Sequence, residues 1–349
     1  MKMECNWRIR EAGPGDLDLI RNLYRAVRGH NRPEAYDRWR YLASPYGPAP
    51  GMLALADGRA VGFYTLWPTP LRIGAASVAG AQSMDTMTHP DFRGQGVFVA
   101  LARACFELAH QRGIRLLYGF PNRESFPGFV RRLEWTHAGD IPHWIRPIRP
   151  SRHPRFSGRL PAPLGILADA AAALWPTGRQ GDYDVAAGVG VPSGAAALAE
   201  TGDAAGLCRV ERASAWLAWR YSNEATQGYE WITAAKDGTI RAAALWGMQD
   251  ESWGENRDGR AHLVELLGAD ARAREAALAR VIARARERGA WLLETVTNAH
   301  ATIRTLRRAG FVAHRAAPLI VRALESATFP PEPREARNWR IMGGDLDTF

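Results

Sequence analysis

The stretch Met84-Asp85-Thr86-Met87-Thr88-His89-Pro90-Asp91-Phe92-Arg93-Gly94-Gln95-Gly96-Val97 decides how this chain is read. It runs as a strand, a tight glycine turn and the first turn of a helix. Apolar Val97, Leu101, Ala104, Cys105 and Leu108 then keep helical spacing until Gly113, a left-handed C-cap. Gly94 and Gly96 let backbone N–H groups meet a ligand with no Cβ in the way. The helix that follows begins with unpaired N–H groups and a partial positive charge, so turn and helix together form a cradle for a pyrophosphate. The turn has no P-loop lysine, and its Gly-x-Gly lacks the third glycine and the downstream acid of a dinucleotide fold, so ATP and NAD are disfavoured.

Working outward, the chain repeats itself. Trp39-Arg40-Tyr41 and Asp57-Gly58 recur as Trp219-Arg220-Tyr221 and Asp237-Gly238, a shift of 180. Arg112-Gly113, Asn122, Arg131-Arg132 and Trp135 recur as Arg288-Gly289, Asn298, Arg307-Arg308 and Phe311, a shift of 176. The four-residue deletion falls at the glycine turn, where the second copy has only Gly268-Ala269-Asp270-Ala271. The second copy therefore keeps the scaffold and has lost the cradle. Around the turn the first copy predicts strands near 7–11, 52–56, 60–67, 77–88, 114–119 and 135–145. Helices are predicted from Asp16 as N-cap and over 33–42, 97–112 and 126–133. The domains expected are 1–148 with the cradle, a 149–183 linker with one helix, a degenerate copy over 184–325, and an extension over 326–349 that folds back onto one of them.

Arg93-Gly94-Gln95-Gly96-Val97-Phe98 resembles the acetyl-CoA loop of the GCN5-related N-acetyltransferases, Arg/Gln-x-x-Gly-x-Gly/Ala, with Phe98 where Gly or Ala is usual. Asn122, Ser125 and Arg131-Arg132-Leu133-Glu134-Trp135 are similar to the family's second motif. The resemblance implies an α/β fold of two tandem domains, each a mixed, largely antiparallel twisted sheet flanked by helices. It implies an acyl-CoA-dependent N-acyltransferase that moves an acetyl or short acyl group from acetyl-CoA or another short acyl-CoA, without a metal, to a primary amine. Tandem members include enzymes acting on nucleotide-linked amino sugars, the leading acceptor class; an antibiotic or peptide amine is the alternative, and a non-catalytic acyl-CoA-binding module the third reading. Cofactor contacts carry over to Thr86, Met87, Thr88, Arg93, Gly94, Gln95, Gly96, Val97, Phe98 and Asn122, with the strand N–H groups near Thr86 to Thr88 polarising the thioester carbonyl.

Asp85 is the first candidate base, and pairing with an arginine on the opposite strand face is its alternative. The family's acid tyrosine is missing, with Phe129 or Val130 at its place, which leaves the Ser125 and Tyr118 hydroxyls as substitutes. Asn122 is expected to hold the pantetheine amide. Arg40, Tyr64, Trp67 and His143 are the candidate acceptor contacts, as stacking surfaces and anion partners.

Composition fits this reading. The 349 residues carry a formal charge of +9, and 43 of the 45 cations are arginine, scattered rather than banked, which speaks for small anionic ligands over nucleic acid. Cys5, Cys105 and Cys208 form neither a disulfide framework nor a zinc site. The apolar run from Gly165 to Trp175 is too short to span a bilayer, and no secretory h-region opens the chain. A cytoplasmic protein is expected, with no membrane or nucleic-acid partner, either a monomer acting as a pseudo-dimer or a homodimer.

Overall fold

The computed structural model describes residues 6–154, 161–178, 181–201, 207–222, 228–248, 259–325 and 329–347. The first copy folds as β1 (Arg8–Glu11), α1 (Leu17–Arg28), α2 (Glu34–Leu42), β2 (Gly51–Ala56), β3 (Arg59–Ile73), β4 (Ala76–Thr88), α3 (Val97–Gln111), β5 (Leu116–Gly119), α4 (Phe126–Arg132) and β6 (Thr136–Pro147). After α5 (Ala162–Leu174) come β7 (Asp184–Gly188), α6 (Ala195–Ala199), β8 (Cys208–Val210), α7 (Ser214–Tyr221), β9 (Tyr229–Lys236), β10 (Thr239–Met248), β11 (Arg260–Leu267), α8 (Ala271–Glu287), β12 (Leu292–Val296), α9 (His300–Arg308) and β13 (Val312–Ala323). From α2 and α7 onward the two copies repeat the same succession of elements.

Two compact units divide the described residues. The first holds the chain to Gly139 together with Pro318–Ala336; the second holds the rest from Asp140, including residues 337–347. In the first unit β1, β2, β3 and β4 pair antiparallel, β5 joins β4 in parallel, and the end of β13 lies antiparallel on β5. In the second, β7, β9, β10 and β11 pair antiparallel, β12 joins β11 in parallel, and β6 lies antiparallel on β12. Each unit thus ends its sheet on the last strand of the other copy. The registers match: Gly119 faces Ile320 in one unit and Thr295 faces Trp144 in the other, both pairs related by the shift of 176.

The turns follow local chemistry. Asp57-Gly58 and Asp237-Gly238 both have two consecutive positive φ angles, the type I′ geometry of a two-residue hairpin, which a short polar residue followed by glycine tolerates. Strand β3 extends beyond the expected 60–67, through Pro68 and Pro70. The two prolines are two residues apart, so both nitrogens point to the edge away from β4 and the ladder loses no donor. Asp16 stands before α1 as expected but does not cap it; its carboxylate accepts from the Gly13 N–H and pairs with Arg10. On the other side of the first sheet, α3 buries Val97, Leu101, Ala102, Cys105 and Ala109 against Ala54, Leu66 and Leu117. Burial of such a leucine is worth about 1.5–3 kcal/mol. Gly62 lets the helix come close, since a Cβ there would stand 2.5 Å from Val97 Cγ1.

Candidate active site

The packing of α3 on β3 sets its N-terminus at the end of β4. Gly94 and Gly96 have φ of 76° and 80°, and a Cβ at either would meet nothing within 4 Å, so glycine is needed there for conformation and the space beside it is open. Gly96 is the N-cap residue and supplies no side-chain acceptor, which leaves the first N–H groups of α3 for a ligand. Gln95 braces the turn by donating from Nε2 to the Asp91 carbonyl. Phe98 turns away from the cradle: its ring packs on Phe129 and Tyr64, over Gly128, where a Cβ would come 2.8 Å from Phe98 Cε1. A bulky residue on α3 is matched by the absence of one on α4.

Beside the cradle, β4 and β5 part. Their parallel ladder stops at Gln82 and Tyr118, β5 ends at Gly119, and β4 runs on to Thr88. Within the diverging stretch β4 is bulged, since Phe63 faces Met87 but Thr65 faces Met84, and Asp85 takes φ of 42°. Thr86, Met87 and Thr88 follow the bulge and lead into the glycine turn, so the candidate cofactor residues from Thr86 to Phe98 are contiguous around one helix end and one strand edge.

Asp85 lies in a buried ion cluster. Its carboxylate accepts from Arg32 (3.1 Å), Arg40 Nε (2.9 Å) and Tyr41 Oη (2.7 Å). Arg32 also pairs with the fully buried Asp37 and lies 4.0 Å over the Tyr24 ring. Burial alone would push the Asp85 carboxyl up, but the two guanidiniums and the tyrosine hydrogen bond overcome it and hold the group well below the usual carboxylate range. A carboxylate so held takes up a proton only far below neutral pH. Burial and the facing Asp85 charge push Tyr41 well above its ordinary value, so it stays a neutral donor.

Of the candidate acceptor contacts, Arg40 and Trp67 come together, the guanidinium 5.1 Å over the indole. Tyr64 is fully buried, with its hydroxyl on Ser83 Oγ. His143 belongs to the second unit, where Nε2 lies 3.0 Å from Glu294 and Nδ1 accepts from Arg315. Asn122 Oδ1 accepts from the N–H groups of Glu124 and Ser125 and from the Ser125 hydroxyl (2.9 Å), building the entry to α4. This commits the Asn122 oxygen and the Ser125 proton to the turn and leaves the donors of the Asn122 amide nitrogen outside it.

Sequence reasoning missed Arg32 and Asp37. The repeat held the signal for Arg32: at the shift of 180, Arg32, Arg40, Tyr41 and Asp85 become Arg212, Arg220, Tyr221 and Glu265. In the second unit Arg212 (3.0 Å) and Tyr221 Oη (2.8 Å) again hold the Glu265 carboxylate.

The acetyltransferase (GNAT) domain family matches residues 8–138. No curated protein matches the chain in sequence. Among solved structures, a probable N-acyltransferase from Enterococcus faecalis V583 aligns with a TM-score of 0.65 at 12% identity, over 91% of this chain and 73% of that one. A GCN5-related N-acetyltransferase from Anabaena variabilis ATCC 29413 aligns with a TM-score of 0.61 at 12% identity, over 91% and 73%. A tandem GNAT protein from the clavulanic acid biosynthesis pathway aligns with a TM-score of 0.57 at 15% identity, over 92% of this chain and all of that one. Fold similarity thus reaches across both copies, while the family match covers the first. Among the described residues no helix is long and apolar enough to cross a membrane.

Proposed function

We propose that the first unit is an acyl-CoA-dependent N-acyltransferase that moves an acetyl or short acyl group directly onto the primary amine of a small molecule. One observation carries this reading: an uncapped helix N-terminus, preceded by two left-handed glycines, stands at the mouth of a parted strand pair. The free N–H groups of α3 and the open space beside Gly94 and Gly96 fit a pyrophosphate, at about 1.5–3 kcal/mol for each charge-assisted contact. The β4 edge and the Asn122 amide nitrogen would receive the pantetheine arm. The backbone after the Asp85 bulge, at Thr86 to Thr88, would donate to the thioester oxygen as negative charge develops there. The amine, as free base, forms the new C–N bond, the C–S bond breaks, and the proton lost from the nitrogen passes, directly or through water, to the departing thiolate, giving the amide and the CoA thiol.

In this reading the Asp85 cluster positions the bulge. Its arginines already neutralise Asp85 and Asp37, so the anion that selects an acceptor meets them only as part of that network. Nucleotide-linked amino sugars head the acceptor panel, followed by aminoglycosides and peptide amines. The test is calorimetric titration with acetyl-CoA, then thiol release over that panel with product mass. Binding near one acyl-CoA per chain with acceptor-dependent thiol release is expected; no acyl-CoA binding overturns the proposal, and tight binding without turnover over the panel favours the binding-module reading.

A further inference from the structure

The second unit has its own parted strands, and they are filled. The parallel ladder of β11 and β12 ends at His262 and Glu294, the register positions of Gln82 and Tyr118 in the first copy. Beyond it, the segment after β13 threads past. Asn298, which answers to Asn122, grips the two peptide groups that flank Arg340: its Nδ2 donates to the Trp339 carbonyl and its Oδ1 accepts from the Ile341 N–H, both at 2.9 Å. Thr297 Oγ1 donates to the Ile341 carbonyl, and the Arg340 N–H donates to the Cys208 carbonyl. Gly343 passes so close to β11 that a Cβ would stand 3.0 Å from the Leu263 carbonyl oxygen, and a Cβ at Gly344 would strike Tyr221 Oη and Glu265. Asp345 then pairs with Arg212 at 2.8 Å. Ile341 is fully buried, and Trp339, Met342 and Asp345 nearly so.

At the entrance to α8, where the first copy has its cradle, Asp270 accepts from the N–H groups of Arg272 and Ala273. A carboxylate already takes two N–H groups of that helix end, so a phosphate there would meet like charge and fewer donors.

We infer that the parted strands of the second unit form a binding site for a secondary-amide chain without phosphate, extended over Trp339–Met342 and turning over Gly343–Asp345, and that Trp339–Asp345 occupies it in cis as a tethered ligand. The two-sided amide grip, the close passage that only glycine allows, and the terminal carboxylate on Arg212 are the recognition elements. Peptides and the pantetheine arm share this chemistry. The inference holds whether or not the first unit transfers acyl groups, because it is read from binding alone.

The test uses the full chain carrying Gly344→Val, which drives the segment off Tyr221 while leaving Asn298, Arg212 and Glu265 in place. Wild type should take up no labelled peptide spanning residues 337–347, and its Arg340 and Ile341 amides should be protected from hydrogen exchange. The variant should lose that protection by about tenfold or more and bind one peptide per chain, and an Asp345→Ala peptide should bind about tenfold more weakly, the loss expected for one charge-assisted contact. S-acetylpantetheine, which lacks phosphate, either competes, and the amide chain is the sole requirement, or does not, and the site is selective for peptide. A folded variant that keeps wild-type exchange, or opens and binds no peptide, overturns the inference. Should Gly344→Val fail to fold, Asn298→Ala decides: faster exchange confined to residues 339–346 supports the tethered ligand, and unchanged or uniformly faster exchange refutes it.

Discussion

The N-termini of α3 and α8 are the same place in two copies of one fold, and they differ by a single kind of group. At α3 two left-handed glycines leave the donors open; at α8 Asp270 closes them. A few residues away the parted strands differ in the same sense, one pair continuing into the glycine turn and the other threaded by its own chain. The centre of the ion cluster on the bulged strand is shared: Arg32, Tyr41 and Asp85 in one copy, Arg212, Tyr221 and Glu265 in the other, with Asp37 completing the first and Asp345 the second. A feature shared by an open and a filled cleft belongs to the scaffold, and a feature confined to the open one is where the proposed ligand chemistry is to be tested.

That division can be broken. Asp85→Ala and Glu265→Ala each strand buried guanidinium charge and should cost about 3–5 kcal/mol of stability, read as a fall in Tm or denaturation midpoint. If Asp85→Ala kept its stability and lost only kcat, the scaffold assignment of the cluster would be wrong. Next in size, Gly96→Asp gives α3 the acid that α8 has and should weaken acyl-CoA binding about 100-fold by calorimetry, through like charge and capped donors. Gly96→Ala, which adds backbone strain and no charge, should cost about tenfold at most, since φ of 80° disfavours a Cβ by about 1–2 kcal/mol.

The two carboxylates also predict opposite pH slopes. Asp85 is lowered on folding, so its contribution to stability is present above the ordinary carboxylate pKa of about 3.9 and is lost as pH falls through and below that value. Asp345 is pushed up to about 6 by burial, with Arg212 opposing and Glu265 adding to the rise. Its seating therefore strengthens as pH falls from about 6 toward 4 and weakens as pH rises through that window, by up to about 1.4 kcal/mol per unit. Hydrogen exchange in residues 339–346 should show this slope, and Asp345→Asn should flatten it. The smallest effect belongs to Gly128→Ala, which pushes the Phe98 ring toward the cradle and should raise the KM for acyl-CoA a few-fold, about 1 kcal/mol. Adding Phe98→Ala to Gly128→Ala should recover most of the loss.

What could be read in the sequence was what local rules govern. The glycine turn, the Asp-Gly hairpins and the apolar stripe of α3 each follow from a few neighbouring residues, and the repeat registers align the elements of both copies. Asp37 was invisible because it stands among other polar residues and is buried beside Arg32, and Arg32, which the repeat marked, is buried by contacts with Asp37, Asp85 and the Tyr24 ring that no local pattern announces. The bulge at Asp85 depends on which residue of β3 it faces. Residues 338–347 carry no periodicity, and their place is decided by Asn298 and Arg212, about 40 and 130 residues away. His143 was placed with the acceptor contacts across the parted strands, and its partners Glu294 and Arg315 belong, as it does, to the second unit, which begins at Asp140.

That crossing has a consequence for how the molecule is made. The edge of β5 finds its partner at Pro318–Ala323, about two hundred residues downstream of Gly119. At cellular synthesis rates of about 5–20 residues per second, the ribosome needs roughly 10–40 s to deliver it. During that interval a nascent chain carries the glycine turn and α3 beside an uncovered strand edge, the kind of surface that recruits other strands. The first unit becomes complete only when most of the second has been translated, so a message truncated between the copies would yield an unfinished sheet rather than a smaller folded unit.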